Sequence, residues 1–165
     1  MLSSNRRNTR ADRTSQSTVR ENPAMIGFLY RTCEEKLTAI VSYLHSAVLM
    51  ENDTTPGAEL CRLIATAQIE QYSALCRVLR DLGVPFRLQT CIKLEQCAHR
   101  DSRHACTLEL LGAHACKEAA LAKGYASAAS SCATPTTARL LAQLSSTGEE
   151  HASLLQGLIA RLSRS

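Results

Sequence analysis

Three times in this chain a capping residue stands directly before a proline: Asn22-Pro23, Thr55-Pro56 and Thr134-Pro135. A side-chain oxygen there satisfies free amides of a first helical turn, and the following proline lacks the amide that would go unpaired. Behind each pair runs a long series of apolar residues at three–four spacing, the period of one helix face. This pattern predicts helix A from Pro23 to Met50, helix B from Pro56 to Leu82 and helix D from Pro135 to Leu162. Gly83 and Pro85 supply the stop after helix B. Helix C has no proline start; Asp101 or Ser102 opens it, and it runs to about Ser130.

The predicted inward stripes are Leu29, Cys33, Lys36, Leu37, Ile40, Leu44 and Val48 on helix A, and Leu60, Ile64, Gln68, Gln71, Leu75, Val78 and Leu82 on helix B. Helix C gives Leu108, Leu111, Ala115, Glu118, Leu121 and Tyr125, and helix D gives Leu141, Leu144, Gly148, His151, Leu155, Leu158 and Leu162. The A–B and C–D connections are short, so each pair forms an antiparallel hairpin. The B–C connection, roughly Gly83 to Arg100, is long. The expected fold is all-α: a four-helix bundle of two antiparallel hairpins joined by one long B–C crossover. No strand pattern, phosphate loop, dinucleotide-binding turn or nucleophile elbow is present.

Composition agrees. The 165 residues are 45% hydrophobic and 4% aromatic, without tryptophan, which suits helix-on-helix packing. Much of the net charge of +4 sits at the start, where Arg6, Arg7, Arg10, Arg13 and Arg20 face only Asp12 and Glu21. Residues 1–22 are read as a disordered basic arm, with a transit peptide or a contact arm for nucleic acid or a neighbouring subunit as alternatives. Residues 23–165 are then near neutral, and no nucleic-acid surface is expected on the bundle. No apolar run reaches about 18 residues and no apolar leader is seen, so no membrane contact or secretion is expected and the location is read as cytoplasmic. In that compartment the eight cysteines are read as thiols.

Each inward stripe is broken near its middle by polar groups: Lys36, Gln68 with Gln71, Glu118, and His151. Four such breaks at similar depth mark a site, because buried polar groups are costly unless paired or coordinated. The segments carrying them resemble ferritin-like proteins of the rubrerythrin and manganese-catalase type. Lys36-Leu-Thr-Ala-Ile-Val-Ser-Tyr-Leu-His-Ser resembles their helix A, Ile64-Ala-Thr-Ala-Gln-Ile-Glu-Gln-Tyr their helix B, Lys117 to Tyr125 their helix C, and Gly148-Glu-Glu-His-Ala-Ser-Leu-Leu their helix D. The resemblance spans about residues 24–162 and implies a ferritin-like bundle built around an iron or manganese pair. Such a centre takes a Glu from each of two helices and a Glu-x-x-His pair from each of the others.

Carried over by position, that ligand set is mostly gone. Lys36 stands at the helix A Glu, Gln68 and Gln71 at the helix B Glu and His, and Gly148 at the helix D Glu; Glu118 and His151 remain. A one-residue shift would instead keep Glu149 and put Ala152 at the His position. The replacements suggest a Lys36–Glu118 ion pair in place of the metals, with Gln68, Gln71, Tyr125 and His151 around it. A plainer reading has Lys36 reaching to a bundle edge and Gln68 and Gln71 facing a partner subunit.

The first functional expectation is therefore a protein whose di-iron or di-manganese centre is largely lost, acting as a structural or interaction module with no cofactor and no catalytic residues. It would form a homo-oligomer or join a metal-loaded relative; the oligomer is implied by the resemblance alone. The alternative is a peroxide- or oxygen-handling oxidoreductase with an altered ligand set drawn from Glu118, His151, Glu35, Glu70, Glu149 and His114. A single zinc on His114, Glu118 and His151 is a further possibility. So is a zinc or copper buffer around Cys91, Cys97, His99, His104 and Cys106, although their spacing is not a finger pattern.

Overall fold

The computed structural model describes residues 21–85 and 102–164. Four helices make up these residues: α1 (Pro23–Met50), α2 (Thr55–Asp81), α3 (Arg103–Ala129) and α4 (Pro135–Leu162), with no strand among them. Three of the starts are capped by side chains. Asn22 accepts from the Met25 amide at 2.8 Å, Ser102 from Ala105 at 3.3 Å and Thr134 from Thr137 at 3.4 Å. Helix α2 begins one residue earlier than its proline suggests, with Thr54 in the cap position and no side-chain cap bond. Its end is a complete reversal motif. Gly83 takes φ +71°, Val84 N–H donates to Leu79 C=O and Gly83 N–H to Arg80 C=O.

Glu21, which the sequence assigns to the disordered arm, is only 5% exposed. Its carboxylate accepts from the Ala133 and Thr134 amides at 2.9 and 2.8 Å and from the Thr134 hydroxyl at 2.7 Å. The start of α1 is thereby tied to the start of α4, where free amides and the helix dipole favour an anion. Burial pushes this carboxyl up, but the bonds from Thr134 and Ala133 outweigh it and hold it below its ordinary range. Residues 1–20 of the arm lie outside the described residues.

α1 packs chiefly on α2 and α3 on α4; the two hairpins meet through α2–α4 and α1–α3. The apolar core is divided in two. One cluster joins Tyr43, Ala47 and Met50 of α1 to Cys61 and Ile64 of α2, Leu110 and Leu111 of α3, and Leu155 and Leu158 of α4. The other joins Met25, Leu29 and Cys33 to Leu75, Leu79, Tyr125, Leu141 and Leu144. These memberships fix the directions: α1 and α4 run one way, α2 and α3 the other. α2 thus ends at the opposite end of the bundle from the start of α3.

The α1 stripe needs correction in its second half. Leu44 and Val48 are 45% and 63% exposed, while Tyr43, Ala47 and Met50 are buried. From Lys36 onward the inward face runs through Tyr43, Ala47 and Met50, so it includes small and polar residues. The larger aliphatics form a second apolar face that points away from the bundle. The thiol reading also needs correction at Cys106, which is disulfide-bonded. The other described cysteines, Cys33, Cys61, Cys76, Cys116 and Cys132, are free.

Candidate functional site: a buried polar layer

Between the two apolar clusters lies a layer to which all four helices contribute. Lys36, Gln68, His114, Glu118 and His151 are all buried; Gln71 is half-buried. Glu118 of α3, 2% exposed, is the centre. Its Oε1 accepts from the Tyr43 hydroxyl at 3.1 Å and from Gln68 Nε2 at 2.8 Å. Its Oε2 stands 3.5 Å from His151 Nδ1, near enough for charge to matter but long for a hydrogen bond. Burial pushes the Glu118 carboxyl up; His151, the Lys36 charge and the Tyr43 bond together pull it below its ordinary range.

Lys36 sits 5.1 Å above the centre of the Tyr125 ring, a cation–π arrangement. It makes no hydrogen-bonded ion pair with Glu118 and acts on that carboxylate through the field. Burial pushes its ammonium down to about 8, against the pull of Glu118 and Glu35. Phe28 meets Tyr125 edge-on at 6.3 Å. His114 stacks on Tyr43 with ring centres 4.1 Å apart, and its Nε2 lies 2.9 Å from the Ser46 hydroxyl. Burial, helped by Lys117, pushes His114 down to about 4, so it is neutral at physiological pH.

Among the described residues, four polar atoms of this layer are buried without a hydrogen-bond partner: Gln68 Oε1, Gln71 Oε1, the Tyr125 hydroxyl and His151 Nδ1. Each such atom costs about 1–3 kcal/mol relative to a satisfied one. Two clefts along the α2–α4 seam approach this side of the layer. One, of about 320 Å³, is lined by Ala67, Glu70, Gln71, Leu144 and Thr147. The other, of about 330 Å³, reaches His151 past Glu70 and Glu150.

The structure brings Lys36, Gln68, Glu118, Tyr125 and His151 to one level. It does not bring in the substitutes. Glu70 and Glu149 are exposed, and Glu35 is half-buried, with burial raising its carboxyl against Lys36, Lys117 and Arg31. On α4, exposed Glu149 and buried His151 fix the register at His151. Gly148 is a packing residue. A Cβ there would stand 3.1 Å from Ala122 Cβ and 3.4 Å from the Glu118 carbonyl, so α3 and α4 approach closely at this point.

Tyr43 and Ser46 belong to the layer although sequence reasoning did not select them. The signal was available: Tyr43 lies two turns from Lys36, and Ser46 a further turn along the same face. Of the loop donors, Cys91, Cys97 and His99 lie outside the described residues, His104 is exposed, and Cys106 is held in its disulfide. Burial pushes Cys33 and Cys61 up to about 12, so neither is an activated thiolate.

As a metal centre the donor set is a poor fit. A pair of divalent ions needs several carboxylates. The layer offers one carboxylate, two imidazoles, two amides and an ammonium. Among the described residues no three His, Cys, Asp or Glu side chains converge as metal ligands. No described helix is long and apolar enough to cross a membrane. No family model, curated protein or solved structure matches the chain.

Proposed function

We propose that this chain is a ferritin-like bundle in which a hydrogen-bonded polar layer stands where rubrerythrin-type relatives would hold two metals, and that it serves as a structural or interaction module. The observation that carries this reading is Glu118. Its carboxylate is engaged by Tyr43, Gln68 and His151, with the buried Lys36 charge nearby. A buried ammonium at that depth opposes the loading of divalent ions. The helix directions and the neighbour pairs α1–α3 and α2–α4 agree with the one-crossover bundle that the resemblance implies. The location of Gly148 supports the same reading. A glutamate there would have to part α3 from α4 before it could reach a metal.

The test is metal content per chain by mass spectrometry on full-length protein expressed with iron, manganese and zinc supplied. The expected result is no stoichiometric metal in a folded, helical protein. Two iron or manganese ions per chain would overturn the reading and restore the oxidoreductase alternative.

A further inference from the structure

We propose that two copies of this chain associate through the outward face of α1, antiparallel about a two-fold axis that passes near residues 42 and 43. The face is built from Leu37, Val41, Leu44 and Val48, spaced by four, three and four residues. That is the heptad spacing of a coiled-coil seam. Val41, Leu44 and Val48 are 37%, 45% and 63% exposed, and Leu37 is half-buried at the seam's foot. The same helix buries Leu29, Tyr43 and Met50 on its inner side. A helix apolar on two sides lies between two layers, and the described residues supply only the inner one.

The seam is self-complementary, which singles out a second copy as its occupant. Under the two-fold, Val41 of one copy lies against Leu44 of the other, and Leu37 against Val48. An isologous contact needs this pairing of a patch with itself. Charge agrees with the antiparallel sense. Arg62 of α2 bridges to Glu51 at the far end of α1. The two-fold brings Glu34 of the second copy level with Glu51, so Arg62 meets a carboxylate from each copy, and the same occurs at the symmetric end. A parallel pairing would set Glu34 beside Glu34 and Glu51 beside Glu51.

This proposal extends the interaction-module reading but uses no residue of the polar layer. Metal content tests that reading, and association state tests this one, so either can fail alone. The experiment is sedimentation equilibrium on the full chain carrying Cys116→Ser, which removes an exposed free thiol, over about 1–100 μM. The expected result is a monomer–dimer equilibrium. Leu44→Asp with Val48→Asp should weaken dimerisation by at least about tenfold while leaving the far-UV circular dichroism unchanged, since both side chains are already exposed. Glu34→Arg should weaken it, and Glu34→Arg with Arg62→Glu should restore it. A parent chain that stays monomeric throughout, or a dimer indifferent to L44D/V48D, overturns the proposal. A dimer broken by L44D/V48D but indifferent to both charge variants keeps the face and overturns the antiparallel register.

Discussion

Replacing Glu118 by glutamine tests the polar layer most directly, because the shape is kept and only the charge is removed. Gln Oε1 can still accept from Tyr43 and Gln68, which now bond Glu118 at 3.1 and 2.8 Å. Each bond changes from a charged to a neutral acceptor, a loss of about 1 kcal/mol. Lys36, 1% exposed, loses the stronger of its two compensating charges, Glu118 and Glu35. Stranding a buried charge costs about 3–5 kcal/mol. Lys36 escapes part of that by releasing its proton, since burial already brings it to about 8. The net expectation is a destabilisation of about 3 kcal/mol at neutral pH, measured by urea unfolding followed by circular dichroism.

Lys36→Met should cost less, about 1 kcal/mol, because an apolar stem replaces a desolvated ammonium while Glu118 keeps Tyr43, Gln68 and His151. The double variant should fall short of the sum of the two by at least about 1 kcal/mol. A further sign comes from pH. In E118Q the folded Lys36 titrates lower still, so between that value and the unfolded one the unfolded chain binds more protons. Stability then rises with pH more steeply than in the parent. An E118Q effect below about 0.5 kcal/mol, or strictly additive single variants, would refute the view that Lys36 and Glu118 compensate each other through the field.

His114 gives a separate acid signature. Its folded pKa, lowered by burial from 6.5 to about 4, makes its contribution full above pH 6.5 and lost as pH falls toward 4, a span of about 3 kcal/mol; urea titrations across that range should show a flatter slope in His114→Gln. Glu21→Ala should cost about 1–2 kcal/mol by uncapping α4 and releasing the start of α1, and hydrogen exchange should quicken at the Ala133 and Thr134 amides. Gly148→Ala should cost about 1 kcal/mol through the 3.1 Å approach to Ala122. Gly148→Glu should cost several times more without recruiting metal, and equilibrium unfolding with metal analysis checks both.

The helix bounds were legible because the signals are local. A cap, a proline and a positive-φ glycine act within one turn, and α1 and α4 begin and end where the sequence places them. The depth of Lys36, Gln68, Glu118 and His151 was legible from the shared phase of their stripes. Leu44 and Val48 were misread because hydrophobicity marks an apolar face without saying what covers it, and α1 has two such faces. Glu21 was missed for the opposite reason. Its partners lie more than a hundred residues away at Ala133 and Thr134, and nothing near it in sequence announces them. Gly148 looked like a vacated ligand position; the closeness of α3 and α4 that makes it a contact residue is a tertiary fact.

A polar layer between two apolar clusters is an expensive way to fill a bundle, and that cost bears on what it does. Aliphatic residues at Lys36, Gln68, Gln71, Glu118 and His151, with Phe at Tyr43 and Tyr125, would fill the same volume without the four orphaned atoms, and such replacements of buried ionic groups are often stabilising. The clusters on either side are built mostly from Leu, Ala, Met and Tyr, and their burial is non-directional. The layer's contacts are directional. A one-turn shift of α2 along α3 takes Gln68 away from Glu118, and a shift of α1 takes Tyr43 from Glu118 and Ser46 from His114. These directional contacts specify the register beyond what non-directional burial supplies. The seam on α1 depends on that register: Arg62 of α2 meets the charge pattern of α1 only when the two helices are held in this alignment. Repacking the whole layer, with Leu at 36, 68, 71, 118 and 151 and Phe at 43 and 125, should therefore raise the unfolding midpoint yet weaken self-association of the chain. A repacked variant that dimerises as well as the parent would show that the layer has no part in setting the face.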